Sequence, residues 1–286
     1  MHQARPSQTA MRVAQRRAAH QLLDSPPILS DPLALPILGP QAAAQLRAQL
    51  SHGEPEYAKH VRVWMAVRSR FAEDSLAQSV AAGTRQYVVL GAGLDTFAYR
   101  NPFPALGINL RVFEVDFPAT QAWKRQMLAE AQIPIPGSVT FSPVDFERES
   151  LADGLARSGF DSSQPAFFSW LGVTMYLAPE TTLAILGWVH QICPRNSIVF
   201  DYMAPRASLP FRHRIAFDLL ASRVAKAGEP FIGFFPPDSL ASDLRAIGYP
   251  RVENFDAERL NARYCALRTD GLKVAGTFGG ILYAGA

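Results

Sequence analysis

The chain has 286 residues, 48% of them hydrophobic and 19% charged, with a formal net charge of +3. That balance excludes long disorder, collagen and coiled coil, and the length allows a full hydrophobic core without a metal or disulfide staple. The longest nearly apolar stretch, residues 166–178, is interrupted by Ser169 and Thr174, too short for the roughly 20 residues of a membrane span, so no membrane partner is expected.

The 28 basic residues are scattered rather than clustered with interleaved aromatics, which argues against nucleic acid. Cys193 and Cys265 lie in no CxxC and beside no histidine at ligand spacing; they read as reduced core thiols of a cytoplasmic protein, and no metal is expected. Arg5, Arg12, Arg16 and Arg17 precede the first acid, Asp24, a composition shared with transit peptides, but no apolar signal-peptide core accompanies them. No internal repeat is present, and a single domain over residues 1–286 is expected.

The first eighty residues read as helical. Thr9 is placed to cap a helix reaching about Leu23, residues 41–50 form a short helix behind a proline-rich stretch, and residues 56–80 form a long one ended by Gly83. Apolar runs then alternate with helical stretches: strands at 86–90, 111–117, 139–144, 166–172 and 197–203, helices at 119–131, 151–158 and 179–191. Such alternation implies right-handed βαβ units and a mostly parallel sheet covered on both faces. Residues 205–235 read as a helical insertion, and the tail, 265–267 with 276–283, as a final hairpin. Together the N-terminal helices (1–80) and the insertion are expected to cap the carboxyl ends of the strands.

In an open parallel sheet the ligand lies at those ends, where the first strand runs through a glycine turn. Here the turn is LGAGLD, residues 90–95, in which Gly91 and Gly93 let a backbone approach a ligand closely; Thr96 stands where a dinucleotide fingerprint has its third glycine. The second strand ends in FEVD, and Asp116 at its tip either hydrogen-bonds a ribose or caps the helix that starts at Pro118. Asp145 and Phe146 end the third strand, a carboxylate and a ring suited to an adenine. On the long helix, Tyr57, Val61, Trp64 and Phe71 mark an apolar stripe whose missing member is Arg68. A buried arginine needs an anion, either a structural carboxylate or that of a bound amino acid.

VRSRFAED at 67–74, LGAGLDTFAYR at 90–100, FEVDFPATQAWKRQML at 113–128, VDF at 144–146 and GVTMYLAPE at 172–180, with the early Arg17-Ala18 and Asp31–Ala34 elements, resemble the leucine carboxyl methyltransferase family. Within it, the likeness is to bacterial S-adenosylmethionine-dependent O-methyltransferases of polyketide and other secondary metabolism. The resemblance implies a class I methyltransferase (Rossmann-like) α/β fold with a mostly parallel seven-stranded sheet. It further implies that Arg68 binds the methionine carboxylate, that Gly91 and Gly93 pass under the cofactor, that Asp116 holds the ribose, and that Asp145 and Phe146 receive the adenine. Ala92, Asp95, Glu114 and Trp170, at the turn and the strand ends, complete the candidate cofactor set. Family members commonly carry a glutamate where this chain has Leu171, which implies weaker cofactor binding or another acid.

The expected reaction is O-methylation of a small molecule by a monomer or homodimer. A carboxylate acceptor is ionised at neutral pH, whereas a phenol benefits from a general base, for which His213, Tyr202 and Tyr176 are the candidates. The alternatives are methyl-ester formation on a peptide C-terminus, a non-catalytic cofactor-fold binding protein, and a nicotinamide-dependent reductase, the last disfavoured by Thr96.

Overall fold

A computed structural model describes residues 8–145, 149–193, 195–226, 228–275 and 278–285. Its helices are α1 (Gln8–Leu23), α2 (Gly39–Leu50), α3 (Glu56–Ala81), α4 (Pro118–Glu130), α5 (Leu151–Arg157), α6 (Pro179–Ile192), α7 (Phe211–Lys226), α8 (Pro237–Ile247) and α9 (Ala257–Tyr264). The strands are β1 (Gln86–Leu90), β2 (Arg111–Asp116), β3 (Val139–Pro143), β4 (Ala166–Trp170), β5 (Ser197–Met203), β6 (Arg251–Phe255) and β7 (Gly279–Gly285), in the order β3-β2-β1-β4-β5-β7-β6. β1–β2, β2–β3 and β4–β5 pair parallel, β5–β7 and β6–β7 antiparallel. The expected mostly parallel seven-stranded sheet is present.

Two compact units divide the chain. The first takes the chain up to Glu73 together with Arg85–Asp161, the second Asp74–Thr84 with the chain from Ser162. In the first, β1 is buried throughout and registers Val88 on Phe113 of β2, which registers on Thr140 of β3. Helix α1 presents Ala14, Ala18 and Ala19 to a core of Ile37, Leu38, Leu46, Leu94 and Leu128; small side chains along one face let it lie close. In the second unit β4 and β5 are buried throughout, and Met175, Met203, Leu209 and Phe217 gather Tyr176, Phe231, Phe234 and Phe278 into an apolar cluster.

Several expectations are corrected. Thr9 lies inside α1, which already begins at Gln8. Residues 265–267 are not a strand: α9 runs to Tyr264 and the chain then turns. The strand that pairs with the C-terminal one is β6, whose short RVENF sequence on the sheet edge is only partly buried and lacks an apolar run. β2 stops at Asp116 because Asp116 Oδ1 accepts the Phe117 N–H at 2.7 Å and turns the chain into α4, leaving Phe117 exposed. β4 ends before Gly172, where φ reaches +75°. The α3 stripe is also displaced: Tyr57 is 50% exposed and Val61 and Trp64 are half-buried, while Ala58, Arg62, Val63, Ala66, Val67 and Phe71 are buried. No helix among the described residues is long and apolar enough to cross a membrane.

Candidate cofactor site

The glycine turn of the first unit is built from backbone geometry. After β1 the chain bends through Gly91 and Gly93, with φ of +66° and +44°, a region that favours glycine. The N–H groups of Gly91 and Ala92 both donate to the Val115 carbonyl of β2, at 2.9 and 3.1 Å. Asp116 closes the turn from the next strand, its Oδ2 accepting the Gly93 N–H at 2.6 Å. Asp116 is not the helix cap: Phe117 holds the cap position of α4 and no side chain caps it. Burial raises the Asp116 carboxyl above its ordinary value, opposed by the Gly93 and Phe117 N–H groups. A Cβ on Gly93 would lie 3.1 Å from that of Ala10, so α1 covers the turn and the second glycine makes room for this helix.

Asp95 lies at the end of the turn. Its carboxylate accepts from the Phe97 N–H at 2.8 Å and from Arg17 Nη1 at 3.1 Å. Burial pushes the Asp95 carboxyl up, but Arg17, Lys124 and Arg100 outweigh it and leave it below its ordinary value. Arg17, itself buried, also donates to the Leu94 carbonyl and to Thr96 Oγ1, and Thr96 donates to Asp31 at 2.7 Å. Arg100 reaches Asp31 at 3.3 Å and pairs with Glu73. A lattice of charge thus ties α1, the Asp31 segment and α3 to the glycine turn. Sequence reasoning assigned no role to Arg17, Asp31, Glu73 or Arg100; the Arg17-Ala18 and Asp31–Ala34 elements were the signal that marked two of them.

Glu114 is 1% exposed, two residues before Asp116 on β2. Lys124 Nζ of α4 lies 2.7 Å from its Oε2, and Tyr99 donates its hydroxyl to the same oxygen at 3.0 Å. Burial raises the Glu114 carboxyl, opposed by Lys124. Arg68 is buried on α3 at 4% exposure, within the part of that helix belonging to the first unit. Asp145 follows β3, half-buried, its carbonyl accepting from the Glu149 N–H. Phe146 lies outside the described residues.

The second unit carries Trp170, Tyr176, Tyr202 and His213. Trp170 ends β4, buried and in register with Phe200. Tyr176 lies in a short turn with its ring 5.5 Å from that of Phe231. Tyr202 is buried on β5 and donates its hydroxyl to Asn254 Oδ1 at 2.9 Å; burial pushes it up to about 12. His213 sits half-buried in the first turn of α7. Beside Leu171, the Gly172 N–H donates to Asp201 Oδ1 at 2.5 Å and the Thr174 hydroxyl to the Asp201 carbonyl at 2.6 Å, so a buried acid from β5 stands at this turn. Among the described residues no group of three or more His, Cys, Asp or Glu is placed to hold a metal.

The model of the family described as leucine carboxyl methyltransferase matches residues 10–190, which include the glycine turn, Asp116, Asp145 and Trp170. "Putative S-adenosyl-L-methionine-dependent methyltransferase YktD" of Bacillus subtilis (strain 168) is 29% identical over 95% of this chain and 95% of its own length. A protein from Mycobacteroides abscessus, described in the same terms without the name YktD, is 36% identical over 69% of this chain and 64% of its own. Among solved structures, that of a "putative methyltransferase" from Thermobifida fusca YX shares the fold at a TM-score of 0.56 and 18% identity, covering 99% of this chain and 95% of that one. The class defined by fold and family is that of the S-adenosylmethionine-dependent methyltransferases. The chain belongs to the leucine carboxyl methyltransferase family.

Proposed function

We propose that this protein transfers the methyl group of S-adenosylmethionine to an oxygen of a small-molecule acceptor, with the cofactor seated on the glycine turn of the first unit. The observation that carries the reading is the link between Asp116 and Gly93 at 2.6 Å. It holds a carboxylate of β2 against a backbone that bends away through two glycines. Asp116 is only partly buried, and with Gly93, Phe117 and Thr120 as donors its carboxylate keeps one of about four lone pairs to accept a ribose hydroxyl. The ligand so read has a carboxylate, a diol and a purine: Arg68 takes the first, Asp116 the second and Asp145 the third, with Phe146, outside the described residues, as the expected ring beside it. In this reading Gly91 and Ala92 form the floor, and Asp95 and Glu114 hold the turn's shape.

When bound, the cofactor supplies a methyl on a sulfonium, which is displaced in line by the acceptor oxygen. The protein's part is to align the acceptor and exclude water. Tyr202 spends its proton on Asn254 and its raised pKa makes it a poor base at neutral pH. That favours an acceptor already ionised, a carboxylate giving a methyl ester, over an unactivated alcohol; His213 and Tyr176 remain the base candidates for a phenol. A secondary metabolite is the acceptor class the resemblance favours, and a cytoplasmic protein, monomeric or homodimeric, is the corresponding setting.

Thermal melts with S-adenosylhomocysteine and, separately, NADH test the site. A ligand at a hundred times its Kd adds about 2.7 kcal/mol of stability, a rise of several degrees in a chain of this size. The expected result is a shift with S-adenosylhomocysteine alone that is lost in Arg68→Ala. A shift with NADH alone overturns the reading. Transfer of labelled methyl to small carboxylic acids, and its absence with matched alcohols, tests the acceptor class.

A further inference from the structure

Arg17 of α1 and Asp31 stand outside the candidate cofactor set, yet both end at the glycine turn. The Arg17 guanidinium is buried and grips three consecutive residues. Its Nη2 donates to the Leu94 carbonyl at 2.9 Å and to Thr96 Oγ1 at 3.2 Å, and its Nη1 to Asp95 Oδ2 at 3.1 Å. Thr96, fully buried, uses everything its hydroxyl offers: it donates to Asp31 Oδ2 at 2.7 Å and accepts from Arg17 and, at 3.3 Å, from Arg100 Nε. Asp31 in turn takes the Leu33 N–H at 3.2 Å and lies 3.4 Å from Arg17 Nη2.

The turn therefore has two holds of different origin. Its first half, Gly91 to Gly93, hangs from β2 through the Val115 carbonyl and the Asp116 carboxylate. Its second half, Leu94 to Thr96, is held by one side chain 77 to 79 residues away in the chain. Ala10, Ala14 and Arg17, at i, i+4 and i+7, share one face of α1. Ala10 lies against Gly93, Ala14 is buried in the core, and Arg17 reaches the residues beyond. A buried ion pair is a weak source of stability, because desolvation offsets the attraction. Arg17 Nε, moreover, is buried without a hydrogen-bond partner among the described residues. What the planar fork does supply is geometry: two amino groups at a fixed angle set a carbonyl, a carboxylate and a hydroxyl relative to one another, which the single ammonium of a lysine cannot do.

Resting on the reading of the glycine turn as the cofactor's seat, we propose that Arg17 is a positioning residue for cofactor binding. Its fork fixes the second half of the turn in the binding shape before the cofactor arrives, without touching the cofactor. When the fork is lost, the turn keeps its hold on β2 but is loose beyond Gly93. Leu94 to Thr96 must then be ordered on binding, and affinity falls.

The test is calorimetric titration of S-adenosylhomocysteine into the wild type, Arg17→Lys and Arg62→Lys, with the melting temperature and backbone amide exchange of each unliganded protein. Arg62 is the matched comparison: it is as buried as Arg17, lies in the same unit, and pairs with Asp24 and Glu54. Arg17→Lys is expected to fold and to bind about tenfold more weakly. Its Asp95 and Phe97 amides, bonded to the Ala92 carbonyl and the Asp95 carboxylate, are expected to exchange faster, while those of Gly91 and Ala92 keep wild-type protection. Arg62→Lys is expected to lose as much melting temperature as Arg17→Lys, with an affinity within about twofold of the wild type. Wild-type affinity in Arg17→Lys overturns the proposal. So does a loss of affinity that follows melting temperature alike in both variants, for Arg17 is then a core ion pair like Arg62. An Arg17→Lys chain that does not fold overturns it too, since the fork then serves the fold. A wild type that does not bind S-adenosylhomocysteine overturns the site reading instead, and the proposal with it.

Discussion

The same backbone device occurs once in each unit, and the two copies are furnished differently. After β1 the chain turns at Gly93 and the carboxylate of Asp116, on the next strand in sequence, takes its N–H at 2.6 Å. After β4 it turns at Gly172 and the carboxylate of Asp201, again on the next strand, takes its N–H at 2.5 Å. Around the first turn stand Arg17, Asp31, Asp95, Arg100, Glu114 and Lys124; downstream of the second stand Met175, Tyr176, Met203, Phe217 and Phe234. A strand, a glycine and a neighbouring acid are therefore a way of ending a parallel strand. What distinguishes the first turn, the proposed cofactor seat, is the charge gathered round it.

Removing each acid is the sharpest way to break that comparison. Asp116→Ala is expected to weaken S-adenosylhomocysteine binding about a hundredfold in calorimetry, since it deletes charge-assisted hydrogen bonds worth about 1.5–3 kcal/mol each. Asp201→Ala is expected to act on the fold instead. It leaves the Gly172 N–H without its acceptor at a cost of about 1–3 kcal/mol, a fall in melting temperature of roughly 2–8 °C. Equal losses of affinity in the two variants would mean that both turns serve the cofactor.

The next largest effect separates ligand approach from helix packing. Gly93→Ala forces an alanine to φ of +44° and brings its Cβ to 3.1 Å from that of Ala10. The left-handed conformation costs about 1–2 kcal/mol, and α1 must shift by a few tenths of an ångström. Binding is expected to fall roughly tenfold with a loss of a few degrees in melting temperature. A fall in affinity with no change in melting would assign the glycine to ligand clearance alone.

How much of this was legible in the sequence follows from where the forces act. The glycine turn and Asp116 were readable because a positive φ and a strand-end acid are local constraints. β1 and β5 were readable because burial on both faces demands continuous apolar runs. β6 was missed because RVENF on the sheet edge carries charge. On α3 the stripe was legible at Arg68 and Phe71 but not at Tyr57, Val61 and Trp64, because Arg62, Ser69 and Ser75 share the buried face and blur the hydropathy pattern. The charged lattice was illegible for another reason: Arg17 meets Asp95 across 78 residues and Arg100 meets Glu73 across 27, separations no local pattern records.

Acid sharpens the contrast within the first turn, because its carboxylates shift in opposite directions. Asp116 and Glu114 are raised, so their contribution to folding is full below their unfolded values and is lost as pH rises through the folded ones. Asp95 is lowered, so its contribution is present above its unfolded value and is lost as pH falls through the folded one. In the proposed site, cofactor binding needs Asp116 ionised. Affinity for S-adenosylhomocysteine is therefore expected to begin falling at a pH above the usual aspartate range, while the unliganded melting temperature still holds. Melting and titration run in parallel from pH 7 downward check it; a simultaneous fall of both would mean that binding only reports unfolding.

The smallest effect expected lies in the second unit and bears on the acceptor. Tyr202→Phe removes the hydroxyl that donates to Asn254 on β6, leaving Asn254 Oδ1 short of a partner at a cost of about 1 kcal/mol. If the hydroxyl only ties β5 to β6, kcat with a carboxylate acceptor changes by no more than about twofold and its pH profile keeps its shape. A base would behave otherwise, since kcat would fall by the roughly hundredfold or more that general-base catalysis supplies. Its alkaline rise, centred near the raised value of about 12, would also disappear. The hydroxyl's proton is already committed to an amide oxygen, and deprotonation would turn that donor into a second acceptor facing the first. Breaking the β5–β6 link is thus the energetic condition for Tyr202 to act as a base, and an ionised acceptor removes the need for it.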